Sequence, residues 1–208
     1  MPEANSRLRE TEIPLPRIRG EIAAFAAVHE LRPNITSFIA TWFDWVEKLG
    51  RVPSRGELDP VDLKTFLRAM RVIRIEPGIP QHAGQPGLAY RYFYRLIGTD
   101  HRKHDDRDFT NTYLDETNLS LQRVAFLGAA YERIIDRRWP ILMNHDHFGS
   151  GTGIYACQRM ICPLAEPDGP VTDLFGVWSY GRLIATPDQA DEITRADLLR
   201  NQNLGDKR

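Results

Sequence analysis

The sequence is poor in the features that usually decide a protein's class. It has two cysteines in 208 residues, too few for the disulfide framework of a small secreted domain. Cys157 and Cys162 stand five apart in one apolar run. On a strand that odd spacing turns them to opposite faces, about 16 Å apart, so they cannot bridge and read as free buried thiols. No apolar run reaches the ~18 residues needed to span a bilayer. The first ten residues, M-P-E-A-N-S-R-L-R-E, lack the apolar core of a signal peptide. A cytoplasmic protein without a membrane partner is therefore expected, and the glycosylation-type tripeptides at Asn34 and Asn118 carry no meaning there. Charge of either sign is also lacking in excess. The 27 basic and 28 acidic residues leave a formal net charge of -1, so no overall field favours nucleic acid.

Signatures of catalysis are missing too. Gly149-Ser150-Gly151-Thr152-Gly153 has the composition of a phosphate loop. It lacks the following Lys-Ser/Thr and does not open a helix, so it reads as a hairpin tip. There is no G-x-S-x-G elbow, Ser179 has no neighbouring base, and the glutamates are scattered. A non-enzymatic role is expected.

What is present is pattern. Ala89 to Asp100 reads A-Y-R-Y-F-Y-R-L-I-G-T-D. Tyr90, Tyr92, Tyr94 and Leu96 alternate with Arg91, Phe93, Arg95 and Ile97, which predicts a central antiparallel strand with a tyrosine face toward a core or pocket. Residues 1–17 are polar and expected to be mobile. A short helix is expected from Ile18 to Leu31, ended by Pro33. A second is capped by Thr36 or Ser37, carries Phe38, Trp42, Trp45, Val46 and Leu49 on one face, and stops at Gly50. Asp59 caps a third, with Pro60 at its first position and a stripe from Leu63 to Met70. A strand follows at Val72–Glu76, then a loop with Pro80, Gly84 and Pro86 before the tyrosine strand. Leu121–Arg137 reads as a helix, and Trp139–Phe148, Ile154–Leu164 and Val171–Tyr180 as an antiparallel meander. Thr186-Pro187 opens a short C-terminal helix through Leu199. The sum is an α+β fold with five antiparallel strands and a helical segment between the second and third.

These residues resemble a bacterial stand-alone PAS-like family of short proteins with an N-terminal helical lead. The matches are Phe43-Asp44-Trp45 followed by Leu49-Gly50-Arg51-Val52-Pro53-Ser54-Arg55, then Asp59-Pro60 with the Leu63–Met70 stripe, and Tyr94-Arg95-Leu96-Ile97-Gly98-Thr99. Asp108-Phe109-Thr110 with Leu114-Asp115 and Asp173-Leu174-Phe175-Gly176-Val177 complete them. Asn111 stands where the family usually has glycine. The resemblance covers residues 35–182. It implies a PAS-like five-stranded antiparallel sheet with helices on one face, between an N-terminal extension (1–34) and a C-terminal tail (183–208). It also implies a sensory or interaction module that binds a small ligand or a protein partner in signalling. The ligand, any cofactor and the output partner are not implied. PAS domains often dimerise through helices, so a homodimer through Phe38, Trp42, Trp45 and Leu49 is expected.

In such a fold Tyr90, Tyr92, Tyr94, Phe109, Tyr113, Trp178 and Tyr180 converge between sheet and helices. They are either solid core or the lining of a pocket, in which case their hydroxyls want partners. The alternative to a sensor is a metal-dependent enzyme. It would use His145 and His147, which share a strand face, or His101 and His104 among Asp105, Asp106 and Asp108; a third reading is a ligand-free structural adaptor.

Overall fold

The strand Gly153–Ala165 is buried on both of its faces for most of its length, and that requires a covering layer on each side of the sheet. The structure, a computed structural model, describes residues 10–17, 19–78, 89–105, 108–117, 119, 121–149 and 153–186. Among these residues seven strands form one antiparallel sheet: β1 (Glu10–Ile13), β2 (Met70–Pro77), β3 (Tyr90–Ile97), β4 (Thr112–Tyr113), β5 (Ile141–Gly149), β6 (Gly153–Ala165) and β7 (Val171–Ala185). Their spatial order is β1-β5-β6-β7-β2-β3-β4. The helices are α1 (Ile22–Val28), α2 (Pro33–Leu49), α3 (Pro60–Leu63) and α4 (Leu121–Arg137), so the fold is α+β.

Alternate residues of the same strands separate into two cores. Met70, Val72, Leu142, Met160, Cys162, Phe175 and Val177 join Phe38, Trp42 and Trp45 of α2. Ile73, Tyr92, Tyr94, Ile141, Met143, Ile161, Leu174 and Trp178 join Leu127, Tyr131 and Ile134 of α4. Cys157 and Cys162 fall in different cores, both thiols free and buried. The helices thus cover both sheet faces rather than one, with the N-terminal lead supplying the second layer.

Four further expectations are corrected. The sheet has seven strands, not five, because short strands extend both edges. The first of them, β1, lies in the lead expected to be mobile. It pairs with β5 from Glu10↔His145 to Ile13↔Leu142, covering that strand's otherwise open edge, and Ile13 and Leu15 bury in the α2 core. Pro33 starts α2 instead of ending the helix before it, since a first-turn residue needs no N–H. The Leu63–Met70 stripe is helical only to Leu63 and continues as turns, with Phe66 N donating to Leu63 O and Ala69 N to Phe66 O.

The tyrosine strand alternates as expected until a bulge. Val72 pairs with Leu96 and Ile73 with Tyr94, leaving Arg95 without a partner. One extra residue reverses the alternation beyond it. Ile97 therefore joins Tyr92 and Tyr94 in the α4 core, while Leu96 is 38% exposed. Asn111, in the family's glycine position, has φ 63°; that left-handed backbone favours glycine, and asparagine tolerates it better than most residues. The C-terminal helix expected at 187–199, the tip residues 150–152 and the loop at 79–88 lie outside the described residues.

Candidate functional site

The strand registers place a polar lattice on the α4 face. Met143, Arg159 and Trp178 lie side by side across β5, β6 and β7, and His145, Cys157 and Tyr180 form the next row. Beyond His145, His147 pairs with Tyr155. Gly176, two residues before Trp178, makes room for that ring on this face: a Cβ there would overlap the indole and the Met160 carbonyl.

Arg71, from the start of β2, reaches into the lattice between Met70 and Val72, which face the other way. Its guanidinium lies 4.9 Å from the Trp178 ring centre. Nη2 donates to Asp105 Oδ2 at 2.7 Å and approaches His101 Nδ1 at 2.9 Å. His101 Nε2 lies 3.1 Å from Ala69 O and Nδ1 lies 2.7 Å from Tyr180 OH. Only an Nε2–H imidazole fits these partners: Nε2 donates to the carbonyl, and Nδ1 accepts from Arg71 and from the phenol. His147 Nε2 is 2.9 Å from the other Asp105 oxygen. Tyr180 is stacked on His104 with ring centres 3.9 Å apart, and meets His147 edge-on at 4.9 Å.

The electrostatics follow from burial and charge. Burial, helped by the Arg71 charge, depresses the His101 pKa to about 2, so the ring is neutral as its hydrogen bonds require. Burial pushes His145 well below its ordinary value, with Arg159 and His147 acting the same way. His147 is lowered by burial despite Asp105. Burial would raise Asp105, but Arg71 and His147 outweigh it and hold the carboxyl at about 2. Burial drives the Tyr180 phenol well above its usual range and the Cys157 thiol to about 12.

The expected pocket residues divide. Tyr92, Tyr94 and Trp178 are buried on the α4 face, with Tyr90, Phe109 and Tyr180 partly buried against the same core. Tyr113 stands apart, its ring 5.0 Å from Phe93 and its hydroxyl donating to Glu76 at 2.7 Å. The buried hydroxyls have protein partners: Tyr92 OH donates to Gly128 O at 3.4 Å and Tyr180 OH to His101. His101, His104 and His147, from two separate segments, do converge around Tyr180. Among the described residues, however, no three His, Cys, Asp or Glu side chains are grouped as metal donors would be, and the Arg71 charge beside His101 opposes a cation there. Asp108 is turned to Thr110 and Arg102, and Asp106 lies outside the described residues.

Arg71 and Arg159 were not singled out by sequence. The available signal was an arginine in phase with apolar neighbours, as in Cys157-Gln158-Arg159-Met160-Ile161.

The expected dimer seam is spent on the chain's own sheet. Phe38 and Trp42 are fully buried and Trp45 is 5% exposed within one chain, while Leu49 is half-buried. Phe38 meets Phe66 and Phe175 at 5.2 Å, and Trp45 Nε1 donates to Asp62 at 2.9 Å.

Just ahead of α2, Arg32 anchors the helical lead. Its guanidinium donates to Ser179 O and Ala156 O, the carbonyls beside Tyr180 and Cys157. Gln158 accepts from Arg32 N at 2.8 Å and donates to Glu30 O at 3.2 Å. The β6–β7 register slips here, from Cys157↔Tyr180 to Tyr155↔Leu183, which leaves room for the guanidinium.

Comparison with known proteins adds little. No family model and no curated protein matches the chain. Among solved structures, an RNA-binding light-oxygen-voltage receptor aligns over 63% of this chain and 35% of its own, with 12% identity and a TM-score of 0.30. The chain thus spans about a third of that receptor's length. No described helix is long and apolar enough to cross a membrane.

Proposed function

We propose that this chain is a PAS-type sensory module that binds a small ligand between the sheet and α4 and performs no catalysis. The observation that carries this reading is the coupling of the two sheet faces. Tyr180 and Cys157 face the buried polar lattice, while the carbonyls of their neighbours Ser179 and Ala156 hold Arg32 on the other side. A shift of β6 against β7 on one face must therefore move the anchor of the helical lead on the other. A ligand biases such an equilibrium only by binding one arrangement better. The motif matches and the antiparallel core with its helical segment between the second and third of five expected strands support the PAS assignment. The output partner would be a protein that reads the position of α1 and α2. A homodimer through Phe38, Trp42 and Trp45 forms no part of this reading, because those side chains have no surface left to offer.

Native mass spectrometry of freshly purified protein, compared with the denatured sample, tests it. The expected result is an added small-molecule mass lost on denaturation. A bare mass, together with no thermal shift across a metabolite library, would overturn the ligand reading in favour of a structural adaptor.

A further inference from the structure

The charges on the α4 face do not balance. Arg71 is answered by Asp105. Arg159 is 5% exposed, yet among the described residues its guanidinium meets a single sulfur: Nε and Nη2 point at Met143 Sδ, 3.4 and 3.2 Å away. A thioether is a weak acceptor, whereas a guanidinium stays protonated and carries five N–H donors. Burying an ion without a counter-ion is costly. The nearby acids do not supply one. Cys157, its strand neighbour, is a buried thiol held neutral, Tyr180 is a neutral phenol, and Asp105 is shared between Arg71 and His147. His145, diagonal to Arg159 across the β5–β6 pair, is 4% exposed, and its Nδ1 is buried with no hydrogen-bond partner. A buried cation and a buried imidazole nitrogen, both lacking an oxygen partner, therefore stand on adjacent strands of one face.

We infer that Arg159 and His145 form the head-group site for a small monocarboxylate with an apolar body, the ligand class of the sensory reading above, on which this inference rests. The uncompensated charge is one, which matches a monoanion rather than a phosphate dianion. A planar carboxylate accepts two parallel N–H bonds from a guanidinium. Its remaining oxygen lone pairs are open to an N–H from His145 Nδ1, whose tautomer nothing else on Nδ1 fixes. The neighbours of Arg159 on the same face, Met143, Ile161 and Trp178, suit an aromatic or aliphatic body.

The test is calorimetric titration of the full chain with sodium benzoate and sodium hexanoate, against benzamide and hexanamide, which keep the shape and remove the charge. At least one carboxylate is expected to bind about tenfold or more tightly than its amide, the difference a charge-assisted hydrogen bond makes. Arg159→Met should abolish that preference. It should also melt no lower than the wild type without ligand, because an unpaired buried charge has been replaced by an apolar chain. Equal binding of acid and amide, or a preference that survives in Arg159→Met, would overturn the inference. A neutral molecule in native mass spectrometry would overturn it while leaving the sensory reading standing; a bare mass with no binding of these probes would overturn it as well, and the sensory reading falls with it only where a metabolite library also gives no thermal shift.

Discussion

Gly181 lies where any side chain would overlap the Arg32 guanidinium. The glycine is required by its neighbour, not by its own backbone, since its φ is not positive. Gly181→Ala is expected to push Arg32 off the Ser179 and Ala156 carbonyls and to cost about 1–3 kcal/mol, as overpacking does. Arg32→Ala should also destabilise, by removing the charge-assisted donors from two carbonyls. The two residues share one interaction, so the double variant should cost clearly less than the sum of the singles. Urea unfolding of the four proteins decides it; strict additivity would show that Arg32 is not the group Gly181 accommodates.

Arg71 and Asp105 form a buried pair whose side chains are 9% and 6% exposed. Removing one member strands the other's charge. Asp105→Asn is expected to cost about 3–5 kcal/mol, more than a surface ion pair such as Arg68–Asp100, worth ~1 kcal/mol or less. Replacing both residues, Arg71→Met with Asp105→Leu, should recover part of the loss. A double variant as unstable as Asp105→Asn would mean that His101 and His147, rather than the ion pair, set the cost.

Most of the fold was legible because its signals are periodic. The meander β5–β6–β7, α4 and the tryptophan face of α2 all follow from apolar spacing read within a single segment. What escaped depends on contacts between segments. The bulge at Arg95 is a matter of pairing with β2, and nothing in A-Y-R-Y-F-Y-R-L-I marks which residue is skipped. β1 exists because β5 offers it an edge. The apolar face carrying Trp42 and Trp45 is plain in the sequence, but whether it meets a sheet or a second copy depends on the far face of β6 and β7. The site was least legible of all. Arg71, His101, Asp105, His147, Arg159 and Tyr180 come from five separate elements, and a buried arginine looks in sequence like any solvated one.

The buried histidines give the protein an acid-sensitive stability. His101 folds with a pKa of about 2 against ~6.5 for an unfolded histidine. Between those values the unfolded chain binds a proton that the folded chain does not, so stability falls as pH drops through that window. Each such histidine contributes a slope of up to about 1.4 kcal/mol per pH unit. His145 and His147 are lowered as well and add to it. Around His101 stand Arg71, Tyr180, His147 and Asp105, and besides the imidazoles only Asp105 titrates in acid. It is held at about 2, so its own contribution is lost only below about pH 4. Thermal melts are expected to decline from pH 6.5 downward and more steeply below 4. A melting temperature flat between pH 7 and 5 would mean that these imidazoles accept protons in the folded state.

Trp42 separates the intrachain reading of α2 from the intermolecular one. Its side chain is fully buried in a layer with Phe38, Phe43, Met160 and Phe175. Trp42→Ala should leave a cavity and cost about 3–5 kcal/mol, which lowers the melting temperature at every protein concentration. Were the indole a dimer anchor, the loss would instead appear as dissociation into folded monomers, with a melting point that depends on concentration in the wild type. Trp45 sharpens the distinction, because its Nε1 donates to Asp62 of α3. Trp45→Phe removes that hydrogen bond while keeping an aromatic ring, so a modest loss of about 1 kcal/mol is expected, shared by Asp62→Ala and not additive with it. Light scattering alongside the melts completes the test: an unchanged particle mass with a lowered melting temperature places both tryptophans in the core of one chain, and a halved mass with the fold retained places them between two.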